Sequence, residues 1–314
     1  MVGAGGRDGG LSADVLPPIL CYHKVDARRE LGVTRVAPLV FRRQMEALAA
    51  AGVRTLGSAD LEHVLAGGTP AGHAATAPAT GPSPLAPRPS PPAPSPSLVL
   101  TFDDGYAALA EHAFPVLADL GLKALVFVVT GFVGRDNDWD VHYGWRRFRH
   151  LSWDELARWQ ERGIEVHSHG VTHARLTWVS HVEAAEELGR SREEIARRTG
   201  VAPAGFSYPF GAVDRRIATL ASDAGYRLGF GGPSGLPGEA RDSHLALRRR
   251  PIYAWDVFRP PLVLRDGLPG VAGLAVARLT NRIAVGTAFF QRILGRRYVA
   301  SKQPPRICDK ASRH

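Results

Sequence analysis

Strands and helices alternate along the chain from residue 98 onwards, and this alternation constrains the fold more than any other feature of the sequence. Short apolar runs each lead into a segment with helical spacing of its apolar residues. Repeated strand–helix units predict a parallel sheet covered by helices, either doubly wound or closed into a barrel. In both folds, functional side chains gather where the strands end. The predicted strands are LVLTF (98–102), KALVFVVTGF (123–132), IEVHSH (164–169) and AGFSYPFG (204–211), and the predicted helices are residues 106–121, 152–163, 181–200 and 214–226.

A proline-rich stretch divides this region from a shorter one that precedes it. Residues 69–97 contain ten prolines and almost no large apolar side chains, which predicts a disordered or polyproline-like insert. Before the insert, PPILCYHKV (17–25) is predicted to be a strand. Two helices should follow it, one ending near Gly52 and one beginning near Ser58, which we expect to be its N-cap. Residues 1–16 form a predicted flexible tail.

Length and composition are those of a soluble globular protein with one large domain or two modest ones, since 45% of the 314 residues are hydrophobic. No uninterrupted apolar run is long enough for a membrane-spanning helix. The two cysteines, Cys21 and Cys308, are too few for a disulfide scaffold or a thiolate zinc site. No basic segment leads into an apolar one at the N-terminus, so we expect a cytoplasmic protein.

The positive net charge of the chain is concentrated at its C-terminal end. Residues 241–314 hold 15 Lys and Arg against 4 Asp and Glu, whereas the remainder holds 24 against 26. The main domain therefore has no basic character that would favour nucleic acid as a partner. Residues 263–314 are interpreted as a basic, partly helical extension that either packs on the domain or another subunit, or makes a peripheral contact with an anionic membrane.

The stretch LVLTFDDGY (98–106) ends a buried strand on two adjacent carboxylates, Asp103 and Asp104. Like charges repel at this distance, and burying them is costly. A cation that binds one of them, or a reaction that needs one of them, would account for the pair. The motif is thus a candidate site at a predicted strand end.

Three histidines follow another predicted strand within seven residues, namely His167, His169 and His173. The spacing of the last two brings their imidazoles to one side of a compact turn. Imidazole is the commonest zinc ligand, and a carboxylate from the Asp-Asp pair would supply a third ligand. Taken alone, the histidine pair is equally compatible with a polar loop, but two metal-competent motifs at strand ends favour a metal site.

Three motifs in this order, TFDDGY, SHGVTH and FSYPFG, resemble those of the polysaccharide deacetylase family, carbohydrate esterase family four. PILCYHKV, HLSWDEL and YRLGFGG extend the resemblance over roughly residues 17–260. The resemblance implies an α/β fold, a distorted (β/α) barrel with fewer than eight complete strands. We therefore assign residues 17–262 to one barrel domain that carries the proline-rich insertion.

The resemblance also implies roles for individual residues. Asp104, His169 and His173 would bind a divalent metal, with zinc expected and cobalt or nickel possible. Asp103 would be the general base that activates water. The backbone N–H of Phe210 would stabilise the oxyanion of the tetrahedral intermediate. Phe210 and Tyr208 are also candidates for stacking against a sugar ring, although Tyr208 is equally compatible with a purely structural aromatic turn.

The sequence departs from the family pattern at three places. Ser207 occupies the position of an arginine that orients the catalytic aspartate in many members, and Arg249 or Arg250 could replace it. The usual downstream Asp-Trp motif is not recognisable in LRRRPIYAWD (247–256). The late Leu-x-His segment that supplies the catalytic acid is absent, which leaves His23 and His167 as candidates for the acid.

The function that we expect from the sequence is metal-dependent removal of an N-acetyl group from an amino sugar in a polysaccharide, a glycolipid or a small glycoside. One alternative is a related amidase that acts on a non-sugar C–N bond. Another is a carbohydrate-binding protein without catalysis, but such a protein would not need Asp103. The basic residues His244 and 248–250 either contact an anionic group of the substrate or form a solvated loop.

Overall fold

The computed structural model describes parts of the residue range 17–262 that the sequence analysis assigns to one domain. The tail before residue 16, almost all of the proline-rich insert and the extension at 263–314 lie outside the described residues, so the predictions for these segments stay predictions. Among the described residues, no helix combines the length and the apolarity needed to cross a membrane. The described residues are 16–28, 34–68, 96–136, 148–233 and 244–253.

Eight parallel strands form the curled sheet at the centre of the domain. Seven of them follow the order β10-β1-β5-β6-β7-β8-β9, and β4 pairs with the beginning of β5. The remaining two strands, β2 and β3, form a separate parallel pair. The strands are β1 (Ile19–Tyr22), β2 (Lys24–Val25), β3 (Arg35–Val36), β4 (Arg54–Thr55), β5 (Ser97–Phe102), β6 (Ala124–Val128), β7 (Ile164–Ser168), β8 (Gly205–Ser207), β9 (Leu228–Phe230) and β10 (Arg250–Pro251).

Among the described residues, seven α-helices accompany the strands, and local sequence signals begin several of them. The Ser152 and Ser180 side chains accept hydrogen bonds from the backbone N–H groups of Glu155 and Glu183, which places a capping box at the start of α5 and of α6. Helix α2 begins at Ser58 itself, so Gly57 and not Ser58 is its N-cap. The helices are α1 (Pro38–Ala50), α2 (Ser58–Leu65), α3 (Ala108–His112), α4 (Phe114–Asp119), α5 (Trp153–Gln160), α6 (His181–Thr199) and α7 (Arg215–Asp223).

The helix predicted over residues 106–121 is two short helices, α3 and α4, and this part of the prediction was wrong. Pro115 lies in the first turn of α4. Proline has no N–H to donate, and its ring clashes with the carbonyl four residues earlier, so the helix is interrupted there.

Residues 244–252 join the two edges of the sheet. On one side, Leu247 N–H donates to Gly229 O, and Gly231 N–H donates to Leu247 O. On the other side, β10 pairs with β1, and Ile252 N–H donates to Cys21 O. The sheet therefore curls into a distorted barrel with fewer than eight full-length inner strands, which confirms the fold expected from the sequence.

Apolar side chains fill the amino-terminal half of the barrel interior. Alternate residues of each strand face inward, and in this half they form one buried cluster with Leu56 and Leu61 at the beginning of α2. Polar residues succeed them towards the carboxyl ends of β1, β5 and β7. The inward-facing apolar residues of the sheet are Ile19, Val99, Leu125, Phe127, Leu228, Phe230 and Leu247.

Candidate metal centre and active site

Asp103 and Asp104 face the same end of the barrel although they are adjacent in the chain. Val99, Thr101 and Asp103 alternate along the inner face of β5 and its continuation. An extended residue 104 would point to the opposite face. Asp104 instead has φ 68°, a left-handed conformation that aspartate tolerates better than most residues. The turn ends the strand and brings the second carboxylate next to two imidazoles.

His169 and His173 follow β7 and meet Asp104. Its Oδ1 atom lies 3.5 Å from Nε2 of His169 and 3.5 Å from Nε2 of His173. All three side chains are buried, and their potential ligand atoms lie within 4.8 Å of one another. The three residues that the sequence predicted to share an ion are thus in one place.

The geometry of this triad fits a divalent ion. Two ligands at about 2.1 Å from a tetrahedral zinc ion lie roughly 3.4 Å apart, close to the observed separation from Oδ1 to each Nε2. The Oδ1 atom of Asp104 is buried and has no hydrogen-bond donor among the described residues. His169 Nδ1 donates to Ser207 O at 2.7 Å, which leaves the lone pair of the neutral ring on Nε2.

Burial and the neighbouring charges shift the pKa of each residue of the triad. Burial opposes ionisation of Asp104, but the imidazoles around it hold its pKa well below the usual range. Burial also disfavours the charged form of His169, yet the carboxylates of Asp103 and Asp104 outweigh it and raise the His169 pKa. Burial, together with the neighbouring His169, lowers the pKa of His173 to about 3. A neutral His173 is a competent metal ligand without loss of a proton.

Arg249 holds Asp103 in a buried, two-pronged ion pair. Its Nη1 and Nη2 atoms donate to Oδ1 and Oδ2 of Asp103, both at 2.7 Å. Ser207 Oγ accepts from Arg249 Nη2 at 2.8 Å and donates to Asp103 Oδ2 at 3.1 Å. Although burial opposes ionisation of Asp103, this guanidinium keeps the Asp103 pKa far below its usual range. Of the two arginines predicted as replacements at Ser207, the structure brings Arg249 to the aspartate.

His23 lies beside Asp103, beyond the end of β1. One of its ring nitrogens, Cys21 Sγ and a carboxylate oxygen of Asp103 are within 4.8 Å of one another. This second group is poorly suited to a cation, because both oxygens of Asp103 are bound by Arg249. Burial also raises the pKa of the Cys21 thiol, which therefore stays protonated and contacts Asp103 Oδ2 at 3.5 Å.

The His167 side chain lies away from Asp103 and Asp104, in a deeper layer of the barrel. Its Nδ1 accepts a hydrogen bond from Gly205 N–H at 3.2 Å, so its Nε2 carries the proton and donates to Glu165 Oε2 at 3.2 Å. Both nitrogens are thus committed to structural partners. Of the two histidines considered as the catalytic acid, His23 is the one that lies beside Asp103.

The two aromatic residues of FSYPFG differ in accessibility. Tyr208 is fully buried and its hydroxyl donates to Leu245 O at 2.8 Å, so the structural alternative holds and sugar stacking on this ring is ruled out. Phe210 is partly exposed, and its ring centroid lies 4.9 Å from that of His173. Phe210 therefore borders the triad, as its expected role requires.

Backbone strain is concentrated at this site. Among the described residues, the non-glycine residues with a positive φ are Asp104 (68°), His173 (59°) and Phe210 (61°). Such conformations cost of order 1–3 kcal/mol each and persist where the surroundings impose them. Two proposed ligands and the proposed oxyanion donor are thus held in unusual backbone geometry, a pattern typical of functional sites.

His150 is a residue of the site that the sequence analysis did not single out. Its Nδ1 donates to the backbone O of Asp104 at 2.7 Å, and its ring stacks on Tyr106 with the centroids 4.9 Å apart. Burial lowers the His150 pKa, which favours the neutral ring. His150 thus supports the left-handed turn from outside the barrel. Its position in HLSWDEL (150–156) gave no sign of this, because the contact joins segments 46 residues apart.

Comparisons with known proteins find similar sequences over part of the chain. Residues 90–229 match the family model described as polysaccharide deacetylase. A putative polysaccharide deacetylase of Bacillus subtilis, YxkH, is 25% identical over 132 residues, which are 42% of this chain and 43% of that protein. A poly-beta-1,6-N-acetyl-D-glucosamine N-deacetylase of Staphylococcus aureus is 23% identical over 43% of this chain and 47% of its own length. Each match thus spans less than half of the curated relative.

Solved structures with this fold cover more of the chain. The deacetylase PplD of Streptococcus pyogenes superimposes with a TM-score of 0.58 at 20% identity, over 76% of this chain and 93% of its own. IcaB of Ammonifex degensii superimposes with a TM-score of 0.55 at 22% identity, over 84% of this chain and 96% of its own. The curled parallel sheet of this chain thus has the fold of the polysaccharide deacetylase barrel. The similarity to polysaccharide deacetylases therefore rests on residues 90–229, which are less than half of the chain, and on the fold.

Proposed function

We propose that this protein is a metal-dependent hydrolase that removes the N-acetyl group from an amino sugar in a polysaccharide, a glycolipid or a small glycoside. The observation that carries the proposal is the juxtaposition of two units. One is the Asp104–His169–His173 triad, whose spacing fits a divalent ion. The other is Asp103, a carboxylate held ionised beside the triad by Arg249. The substrate class is supported by the N-acetylglucosamine polymer in the name of the staphylococcal relative.

Two nitrogen ligands and one oxygen ligand suit zinc, and cobalt or nickel could take its place. When bound, such an ion lowers the pKa of water and polarises an amide carbonyl. Groups of the protein itself would orient the ligands of this ion. Ser207 O fixes the tautomer of His169, and the turn at Asp104 sets the direction of its carboxylate.

Asp103 is proposed as the general base, with Oδ1 as the accepting atom. Its Oδ2 accepts from Arg249, Ser207 and Cys21, whereas Oδ1 has Arg249 as its donor among the described residues. Oδ1 thus keeps a lone pair for the proton of the attacking water. Burial opposes the charge on Asp103, but the Arg249 guanidinium keeps its pKa well below the usual range, so the carboxylate is ionised and able to accept this proton.

His23 is proposed as the group that delivers a proton to the amine nitrogen. Its Nδ1 is buried and has no hydrogen-bond partner within the described part of the chain, and one of its ring nitrogens lies within 4.8 Å of an Asp103 oxygen. The backbone N–H of Phe210 is proposed to stabilise the oxyanion from the other side, next to His173.

Acetate release from a panel of N-acetylglucosamine derivatives, from monosaccharide to oligomer, tests this proposal. The metal-loaded protein should release acetate, and the metal-free protein and Asp103→Asn should not. A parallel panel of cyclic amides tests the alternative of a related amidase. If the protein bound the sugars but released no acetate with any of the metal ions supplied, the proposed hydrolysis would be overturned and a carbohydrate-binding protein would be favoured.

A further inference from the structure

A single carboxylate on α6 binds the turn that connects the two histidines of the triad. Glu187 Oε2 accepts from the backbone N–H of Val171 at 2.7 Å and from that of Thr172 at 3.0 Å. Glu187 Oε1 accepts from the hydroxyl of Thr172 at 2.7 Å. Three donors of the turn therefore converge on one side chain, 14 residues beyond His173 in the sequence.

The same part of α6 also holds the beginning of the turn. Ser168 Oγ accepts from Gly170 N–H at 3.2 Å and donates to Ser191 Oγ at 2.7 Å. Ser191 Oγ in turn donates to the backbone O of Glu187 at 2.6 Å. One helical turn of α6, from Glu187 to Ser191, thus contacts the chain on both sides of Gly170.

The opposite side of the turn is held by the segment after β6. Thr130 N–H donates to Gly170 O at 3.0 Å, and Gly131 N–H donates to Val171 O at 2.9 Å. The carbonyl groups of the turn therefore accept hydrogen bonds from the segment after β6, whereas the N–H groups of the turn donate to Glu187. The chain then reaches His173 in a left-handed conformation with φ 59°, which is uncommon for a residue other than glycine and persists where the surroundings impose it.

We propose that Glu187 is a positioning residue that fixes the separation of His169 and His173 and thereby sets the affinity for the ion. This inference rests on the proposed function of the triad. His169 is anchored independently of Glu187, by its N–H to Val128 O and by its ring to Ser207 O. His173 comes directly after Val171 and Thr172, the two turn residues whose N–H groups Glu187 binds. Without the carboxylate, two N–H groups lose their acceptor and the strained residue 173 can relax away from Asp104.

Glu187→Gln and Glu187→Ala separate geometry from charge. A glutamine can accept both N–H bonds with its carbonyl and donate from its amide to Thr172 Oγ, so it retains three hydrogen bonds and removes the charge. Alanine removes all three. Loss of a residue that orients metal ligands typically weakens metal binding about 10–100-fold. Glu186→Ala, at the neighbouring exposed position, is the matched control.

Affinity for Zn²⁺ by chelator competition and the visible spectrum of the Co²⁺-loaded protein are the measurements. We expect Glu187→Ala to bind Zn²⁺ at least tenfold more weakly with an altered Co²⁺ spectrum, and Glu187→Gln and Glu186→Ala to resemble wild type. Thr172→Val removes only the hydrogen bond from the hydroxyl group, so its Zn²⁺ affinity should lie between those of wild type and Glu187→Ala. This variant carries the test if Glu187→Ala does not fold. Unchanged affinity and spectrum in Glu187→Ala, or in Thr172→Val if only that variant folds, would overturn the inference. Failure of the wild type to bind an ion would instead overturn the proposed function.

Discussion

Arg249 and Asp103, which are 146 residues apart in the sequence, form a buried pair of hydrogen bonds. The guanidinium is nearly inaccessible to solvent and also donates to Gly231 O and to Thr101 Oγ1. It is therefore fixed on three sides, and the carboxylate is fixed through it. The pair orients the proposed base and keeps it ionised.

Arg249→Gln should reduce turnover by roughly 10–100-fold while the protein still binds its ion. The reason is that Asp103 loses its orientation and its pKa rises, so the acid limb of the pH–rate profile moves to higher pH. Removing one partner of a buried pair should also lower the free energy of unfolding by about 3–5 kcal/mol. Arg248→Gln, at an exposed position, should leave both quantities unchanged. Normal turnover with Arg249→Gln would contradict the role.

His23→Ala should lower turnover and leave the metal content of the protein as in the wild type. His23 lies next to Asp103 and is not part of the triad, so its loss removes a proton donor and not a ligand. The metal content measured by atomic absorption, beside initial rates of acetate release, checks this prediction. If the ion is lost together with activity, His23 has been assigned the wrong role.

Asp104→Asn and Asp103→Asn should separate metal binding from chemistry. Asp104 is the carboxylate between the two imidazoles, so its variant should lose both the ion and the activity. Asp103 is bound to Arg249, so its variant should keep the ion and lose activity by at least about 100-fold. Dialysis against a chelator should inactivate the wild type, and added Zn²⁺ should restore it. Equal loss of metal in both variants would show that the roles are not separate.

Glu165 should make stability depend on acid pH. Burial would raise its pKa, but hydrogen bonds from His167 and from Ser58 N–H lower it from 4.5 to about 2. A lowered pKa stabilises the folded state above pH 4.5, and this contribution is lost as the pH falls towards 2. The free energy of unfolding of wild type, measured with urea between pH 5 and pH 3, should fall more steeply than that of Glu165→Gln.

The exposed Glu161 offers the control for this comparison. Glu161→Gln should follow the wild-type slope. Identical slopes for wild type and Glu165→Gln would mean that the Glu165 contacts do not stabilise the fold.

Two glycines should respond to alanine in opposite directions. Gly211, which follows Phe210, has a φ of 64°, and a Cβ atom on Gly211 would lie 2.6 Å from Gly232 Cα. Gly211→Ala should therefore lower the melting temperature. Gly189 lies inside α6 with nothing within 4 Å of its Cβ position. Gly189→Ala should therefore stabilise the protein by about 0.5–1 kcal/mol, because alanine is the better helix former. Calorimetry of both variants checks the sign of each change.

The sequence predicted those parts of the site that depend on the order of strands and helices along the chain. The alternation of strands and helices indicated the parallel sheet, and the ends of β5 and β7 indicated where Asp104 and the two histidines would meet. Contacts between segments that are far apart in the sequence were harder to predict. Both Arg249 and Arg250 follow Arg248 in one basic run, and only the register of β10 decides which guanidinium enters the barrel.

Backbone conformation was the second source of error and omission. Neither the left-handed turn at Asp104 nor the one at His173 follows from residue type, since tertiary contacts impose them. Glu187 was hidden for a similar reason, because a glutamate on an amphipathic helix has the sequence pattern of an exposed residue. By contrast, the interruption of the helix at Pro115 was readable and was overlooked.

Closure of the sheet by residues 244–252 also bears on the order of events during synthesis of the chain. A polypeptide that has left the ribosome up to residue 233 already contains every proposed ligand, but the guanidinium that holds Asp103 has not yet arrived. Any chain cut before residue 244 would therefore lack both the closure of the sheet and the arginine that orients Asp103.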